Sequence, residues 1–174
     1  LKRFVADYEL DKRKEPLFNK EGAHSEKVAI IGAGPAGLSC AYELADSGMT
    51  VIVLERGAFS GSKNVTGGRI YVAPIRNYLP GLWKEAPLER HVTKEFITLL
   101  GEMNSTTLEL YSDGFNREPY PSYTILRAKF DRWLADLVSE KGVFVIPQKN
   151  VIDLIKEGDK IFGVRTEDEE IGSD

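Results

Sequence analysis

Thirty consecutive residues, Lys27 to Arg56 (KVAIIGAGPAGLSCAYELADSGMTVIVLER), leave this chain few folds to choose from. Val28 to Ile31 is a short apolar run of the kind a strand covered on both faces shows. Gly32, Gly34 and Gly37 follow at once as G-x-G-x-x-G. Gly32 permits the tight turn out of the strand. Gly34 has no Cβ, so a diphosphate can approach the main chain, and Gly37 lets a helix lie close to the sheet. Pro35 and Ala36 stand where that helix begins, a position at which the missing proline N–H costs little. The predicted helix, Ala36 to Ser47, turns Leu38, Ala41, Tyr42, Leu44 and Ala45 inward, and Gly48 stops it. Its free N–H groups and positive end attract phosphate. Val51 to Leu54 is the second buried strand. Glu55 ends it 23 positions after Gly32, close to the roughly twenty expected of an acid that accepts hydrogen bonds from both ribose hydroxyls. The same carboxylate repels a 2′-phosphate, so NADP is disfavoured. This β-α-β unit implies a bound dinucleotide, and it does not by itself separate FAD from NAD.

Composition narrows the rest. The 174 residues suffice for one domain with a real core, or one domain plus part of another. A net charge of −4 with mixed signs along the chain leaves no basic stripe for nucleic acid. The single cysteine, Cys40, excludes a disulfide framework and a cysteine-ligated metal or cluster within the chain. It reads as a small helix-packing residue. The two histidines, His24 and His91, stand alone in polar surroundings and read as surface residues, so no metal site is expected. No signal peptide and no membrane-spanning run is visible, which gives a cytoplasmic location by default. The first residue is Leu rather than Met, so a fragment or a processed product is expected.

Along the chain, Leu1 to Glu9 has a helical period and Asp11 to Glu26 reads as a charged linker, so residues 1–26 form an N-terminal helix and linker. Phe59 to Gly68 is rich in turn formers and reads as loop. Arg69 to Arg90 is irregular, with room for one short helical turn. Thr93 to Leu100 and Thr106 to Tyr111 are predicted strands joined by Gly101–Ser105, and Tyr123 to Leu126 is another. Phe130 to Glu140 is amphipathic, with Phe130, Trp133, Leu134, Leu137 and Val138 on one face. Val143 to Ile146 is a strand, and Asn150 to Lys156 pairs with Lys160 to Thr166 about Glu157–Gly158–Asp159. An antiparallel excursion after the β-α-β unit is unlike a plain NAD-binding Rossmann domain. It argues for the FAD-binding variant, in which a second domain is inserted.

From about Lys27 onward the chain resembles the FAD-dependent electron transfer flavoprotein–quinone oxidoreductases of the FixC-like branch. The strings that carry the likeness are Gly61-Ser62-Lys63-Asn64-Val65-Thr66-Gly67-Gly68-Arg69-Ile70-Tyr71, Trp83 to Arg90 (WKEAPLER) with Val92-Thr93, Ser122 to Arg127 (SYTILR), and Phe130 to Leu134 (FDRWL). The resemblance implies an α/β, Rossmann-like FAD-binding domain of the glutathione-reductase type over 27–174. It has a β-hairpin/meander, and 69–122 contributes part of an inserted antiparallel substrate domain. The chain stops about where a further strand is due, which makes the domain truncated. The cofactor implied is FAD, and the implied reaction is electron transfer between an electron transfer flavoprotein and a quinone.

Carried over by position, the resemblance sets Gly32, Gly34, Pro35, Ala36 and Gly37 against the FAD pyrophosphate. Glu55 falls on the adenosine ribose, and Arg56 and Val151 beside the adenine. Lys63, Gly67 and Gly68 fall near the ribityl chain or flavin ring, and Arg127 on the phosphate side. Each loop assignment has a plain rival: Gly67–Gly68 as a turn, Lys63 and Arg69 as solvated cations, Arg127 as a strand-end ion pair. Lys63 and Arg69 are the candidates for a cation beside the flavin. No catalytic nucleophile, acid–base pair or triad is visible, and a flavin requires none. The alternative readings are a flavin-dependent isoprenoid reductase or aromatic hydroxylase, and a non-catalytic nucleotide-binding fragment. Leu1 to Glu9 (LKRFVADYE) resembles the linker helix of glutamate synthase small subunits, which implies an iron–sulfur domain in the parent protein.

Overall fold

A computed structural model of the chain describes residues 26–172; the predicted helix at Leu1–Glu9, nearly all of the Asp11–Glu26 linker, and His24 lie outside the described residues. The first layer is a parallel sheet. Strand β1 (Lys27–Ile31) leads through helix α1 (Pro35–Asp46) to β2 (Thr50–Leu54), which pairs with β1 in register from Lys27 opposite Thr50 to Ile31 opposite Leu54. Next come β3 (Gly67–Tyr71), helix α2 (Val72–Tyr78), a 3₁₀ turn at Leu82–Glu85 and β4 (Leu88–His91). A hairpin, β5 (Lys94–Leu100) and β6 (Ser105–Tyr111), precedes β7 (Ser122–Leu126) and helix α3 (Arg127–Glu140). Strand β8 (Phe144–Ile146) returns to the first sheet and pairs parallel to β2. The described chain closes with β9 (Val151–Glu157), β10 (Lys160–Thr166) and β11 (Glu170–Gly172).

The strands form a parallel sheet β1-β2-β8, an antiparallel sheet β3-β7-β4, a meander β11-β10-β9 and the isolated β5-β6 pair. The core lies between the first sheet and its helices. Leu38 and Ala41 of α1 meet Val51 and Val53 of β2 and Phe130, Leu134 and Val138 of α3. Each of the large side chains contributes about 1.5–3 kcal/mol by leaving water. That burial explains why the 3.6-residue period of α1 and α3 was readable in advance. Two bonds fasten the helices. Lys141 Nζ donates to Asp46 Oδ1 at 2.5 Å while lying 4.1 Å above the Tyr42 ring. Tyr78 O–H donates to the Ser39 carbonyl at 2.7 Å, tying α2 to α1.

Several sequence expectations need correction. Strand β1 was expected to be buried on both faces, but its residues alternate between half-buried and exposed, because the face that carries Lys27, Ala29 and Ile31 is left uncovered. An apolar cavity of about 340 Å³ separates it from the meander. Gly67–Gly68 was read as loop and Arg69–Arg90 as irregular, yet Gly67–Tyr71 and Leu88–His91 are strands paired to either side of β7. Glycine and charged residues give no strand signal, and only pairing with β7 makes them one. Cys40 is exposed rather than packed. His91 is not alone: it stacks on Tyr120 with ring centroids 4.1 Å apart. The β5–β6 hairpin leaves Ile97, Leu99, Leu100 and Met103 in the open.

Burial pushes the Tyr78 phenol above its ordinary value near 10, and the neighbouring Glu43 charge adds to the rise. The unfolded phenol ionises first, so the stability that Tyr78 contributes is complete below pH 10 and is lost as pH rises above it. Tyr78→Phe in the intact protein is expected to cost about 1 kcal/mol at pH 8, the worth of one hydrogen bond. It is also expected to flatten the fall in stability above pH 10, as urea unfolding at the two pH values would show.

Candidate functional site

The site lies where the carboxyl ends of β1 and β2 meet the start of α1. Gly32 N–H donates to the Leu54 carbonyl at 2.8 Å, which carries the strand ladder into the turn, and its φ of +101° suits glycine. A Cβ on Gly37 would lie 2.1 Å from the Gly32 carbonyl oxygen, so the helix can approach the strand this closely only without one. Helix α1 starts at Pro35 with Gly34 as its cap, and no side chain caps it. Its first N–H groups are therefore left for a ligand.

Glu55 stands across the turn from that helix end. Its Oε2 accepts from Ala33 N–H at 3.0 Å and its Oε1 from Gly57 N–H at 2.6 Å. Ala33 is wholly buried, so this carboxylate holds the middle of the glycine turn from outside. The crevice beyond is about 320 Å³ and brings together Gly32, Glu55, Arg56, Asn150 and Val151. Its far wall is fixed by main chain: Lys149 N–H donates to the Glu55 carbonyl at 2.9 Å and Gln148 N–H to that of Gly57 at 3.0 Å. The Lys149 ammonium is held by Glu169 at 2.7 Å, and that bond raises its pKa. Sequence reading placed Glu55, Arg56 and Val151 in one site, and the structure brings them to one crevice. It missed Lys149, whose place depends on the meander.

Arg127 reaches the turn from the start of α3. The nearest atom to a Cβ built on Gly34 is Arg127 Nη2, at 4.0 Å. The guanidinium is paired with Asp131, and that hydrogen bond is the main cause of its raised pKa. The ion-pair reading of Arg127 is thus correct, and it coexists with a position over Gly34. Lys63 is exposed on the loop between β2 and β3. Gly67 and Gly68 are not a turn: they pair with Leu126 and Ile125 at the start of β3 and are exposed. Arg69 is not a solvated cation. Its Nε donates to Ser122 Oγ at 2.8 Å, it pairs with Glu95, and it lies 4.5 Å over the Tyr71 ring. Asp131 and Asn64 stand in the strings that carry the resemblance but were given no role, although the four-residue step from Arg127 to Asp131 was a usable signal.

The donor set fits a dinucleotide. There is an uncapped helix end, a Cβ-free approach at Gly34, a carboxylate for hydroxyl groups and a cation over the turn. Among the described residues no cluster of His, Cys, Asp and Glu could hold a metal ion, and no helix is long and apolar enough to cross a membrane.

Comparison with known proteins bears on the same region. The family described as FAD dependent oxidoreductase matches residues 27–118, more than half of the chain. The chain is 39% identical over 140 residues to a probable electron transfer flavoprotein-quinone oxidoreductase, YdiS, of Escherichia coli K12, covering 80% of this chain and 33% of that protein. It is 40% identical over 140 residues to Protein FixC of Azotobacter vinelandii, with 80% and 32% covered. It therefore spans about a third of the length of these curated relatives. Among solved structures, a geranylgeranyl bacteriochlorophyll reductase-like protein of Thermoplasma acidophilum matches with TM-score 0.66 and 22% identity, covering 84% of this chain and 37% of that one. The myxobacterial chondrochloren halogenase CndH, described as a variant of FAD-dependent halogenases, matches with TM-score 0.59 and 29% identity, covering 82% and 34%.

Gly37→Ala is expected to cost about 1–3 kcal/mol, the usual range for an overpacked contact. It should also weaken nucleotide retention, because the strand and helix must part to admit the methyl group. Thermal unfolding and the flavin content of the purified intact protein check both effects.

Proposed function

We propose, from the premise that this chain belongs to the FAD dependent oxidoreductase family, that it moves electrons between an electron transfer flavoprotein and a quinone-type acceptor. The cofactor is FAD. The observation that carries the site reading is the Glu55 carboxylate stationed between two main-chain N–H groups beside the uncapped end of α1. Support for the partners is the likeness to YdiS and FixC, which covers 80% of the chain.

In this reading the N–H groups of Gly34, Ala36 and Gly37 face the diphosphate, with Pro35 setting the entry angle of the helix. Arg127 adds a cationic donor over Gly34. Each oxygen of Glu55 has a second acceptor site, so the carboxylate accepts the two ribose hydroxyls beside its main-chain donors, and Arg56 and Val151 flank the adenine. Lys63, Gly67 and Gly68 face the flavin half. When bound, FAD supplies the capacity to accept and release electrons, so this chain's side chains need to orient and tune rather than to form bonds. Lys63 remains the candidate cation beside the flavin, since Arg69 is occupied elsewhere. A reaction of this kind passes electrons between two separate partners.

The test is a half-reaction assay of the intact protein. Its flavin should be reduced by a reduced electron transfer flavoprotein and reoxidised by a soluble quinone. Rapid NADPH oxidation driven by an aromatic or isoprenoid substrate would contradict the reading. Glu55→Gln keeps the shape of the side chain but removes the charge that strengthens its hydrogen bonds. It is expected to raise the FAD dissociation constant about tenfold, a loss of about 1.4 kcal/mol, measured by quenching of FAD fluorescence.

A further inference from the structure

We infer that Asp131 is a positioning residue for the diphosphate end of the site: it aims the Arg127 guanidinium at the glycine turn and, through Asn64, locks the β2–β3 loop to the same guanidinium. The inference rests on the FAD reading above and deepens it. Asp131 is wholly buried, and a carboxylate is tolerated there only when paired and fully hydrogen-bonded. Its Oδ1 accepts from Arg127 Nε at 2.9 Å. Its Oδ2 accepts from Arg127 Nη2 at 2.9 Å and from Asn64 Nδ2 at 2.7 Å.

The consequence for Arg127 is a fixed fork. Two of the five guanidinium N–H groups are committed to Asp131, which leaves the others for a ligand. Nη2 takes part in the pair and is also the atom nearest to a Cβ on Gly34, so holding the fork sets the guanidinium on the turn side. A long side chain held in place before binding loses less rotamer freedom when an anion arrives.

The loop is built to reach the same carboxylate. Gly61 has φ +90°, and a Cβ there would lie 2.9 Å from Ala128 Cα and 3.0 Å from Asp131 Cβ. Only glycine lets the chain lie this flat on the first turn of α3. Asn64 N–H then donates to the Gly61 carbonyl at 2.9 Å, and Arg127 N–H to the Thr66 carbonyl at 3.3 Å. One carboxylate therefore fixes the cation and the stretch that carries Lys63.

The sign of one substitution separates positioning from plain electrostatics. Asp131→Asn removes a negative charge beside an anion site, so charge alone predicts tighter binding. Positioning predicts weaker binding, because the fork is released. FAD, and ADP as a probe with the diphosphate but no flavin, are titrated into the intact protein carrying Asp131→Asn, Asn64→Ala, Arg127→Ala and the two double variants with Arg127→Ala. Asp131→Asn should weaken both ligands about tenfold and Asn64→Ala about threefold. Neither should weaken binding further once Arg127 is Ala. The ³¹P resonances of bound FAD should move in Asp131→Asn. Binding as tight as or tighter than wild type in Asp131→Asn, or equal weakening with Arg127 absent, would overturn the inference. If Asp131→Asn does not fold, Asn64→Ala and its double variant decide by the same comparison. The ADP pattern without any FAD binding would strike the flavin reading and leave the clamp standing.

Discussion

The structure depends on one carboxylate closing a turn. Glu55, at the end of β2, accepts from Ala33 N–H in the glycine turn and from Gly57 N–H in its own exit loop. Main-chain donors at such a site must be satisfied, and here the partner is a side chain delivered by the neighbouring strand. That bond sets the spacing between the helix end and the crevice. A ligand with a diphosphate and a ribose matches both ends at once: negative charge for the helix terminus and hydroxyl donors for the acid.

Around that point the fold is arranged as separate sheets that share no strand but are joined by side-chain ties. The parallel sheet supplies the turn and the acid, and α3 brings Arg127 to the turn. The connection from β8 to β9 fixes the crevice wall through main-chain bonds from Gln148 and Lys149. The Arg127–Asp131–Asn64 cluster joins the loop after β2 to α3. Arg69, by contrast, works inside the antiparallel layer, where Ser122 and Glu95 hold it. Arg69 and Arg127 thus differ in their surroundings, and their partners decide which of them lies at the turn.

How much of this was legible follows from which residues carry their own signal. The β-α-β unit was, because glycine spacing, helical period and a terminal acid are all local. So were the amphipathic face of α3 and the β9–β10 hairpin, whose turn residues announce it. Strands β3 and β4 were not, since Gly67–Gly68 and Glu89–Arg90 become strands only by pairing with β7. The exposure of β1 was hidden for the same reason: an apolar run does not reveal whether its second face is covered. Within the site, Glu55 could be placed from spacing. Asp131 was concealed among the helix's apolar positions, and Asn64 in a stretch of turn formers. Their role depends on a contact 67 residues apart along the chain.

The most direct test of the central claim is a crystal structure of the intact protein with FAD bound. The account predicts the Glu55 carboxylate within about 2.6–3.2 Å of both adenosine ribose hydroxyls, with the diphosphate against the N–H groups that follow Gly34. A structure in which FAD binds elsewhere, with its ribose out of reach of the Glu55 carboxylate, would contradict it.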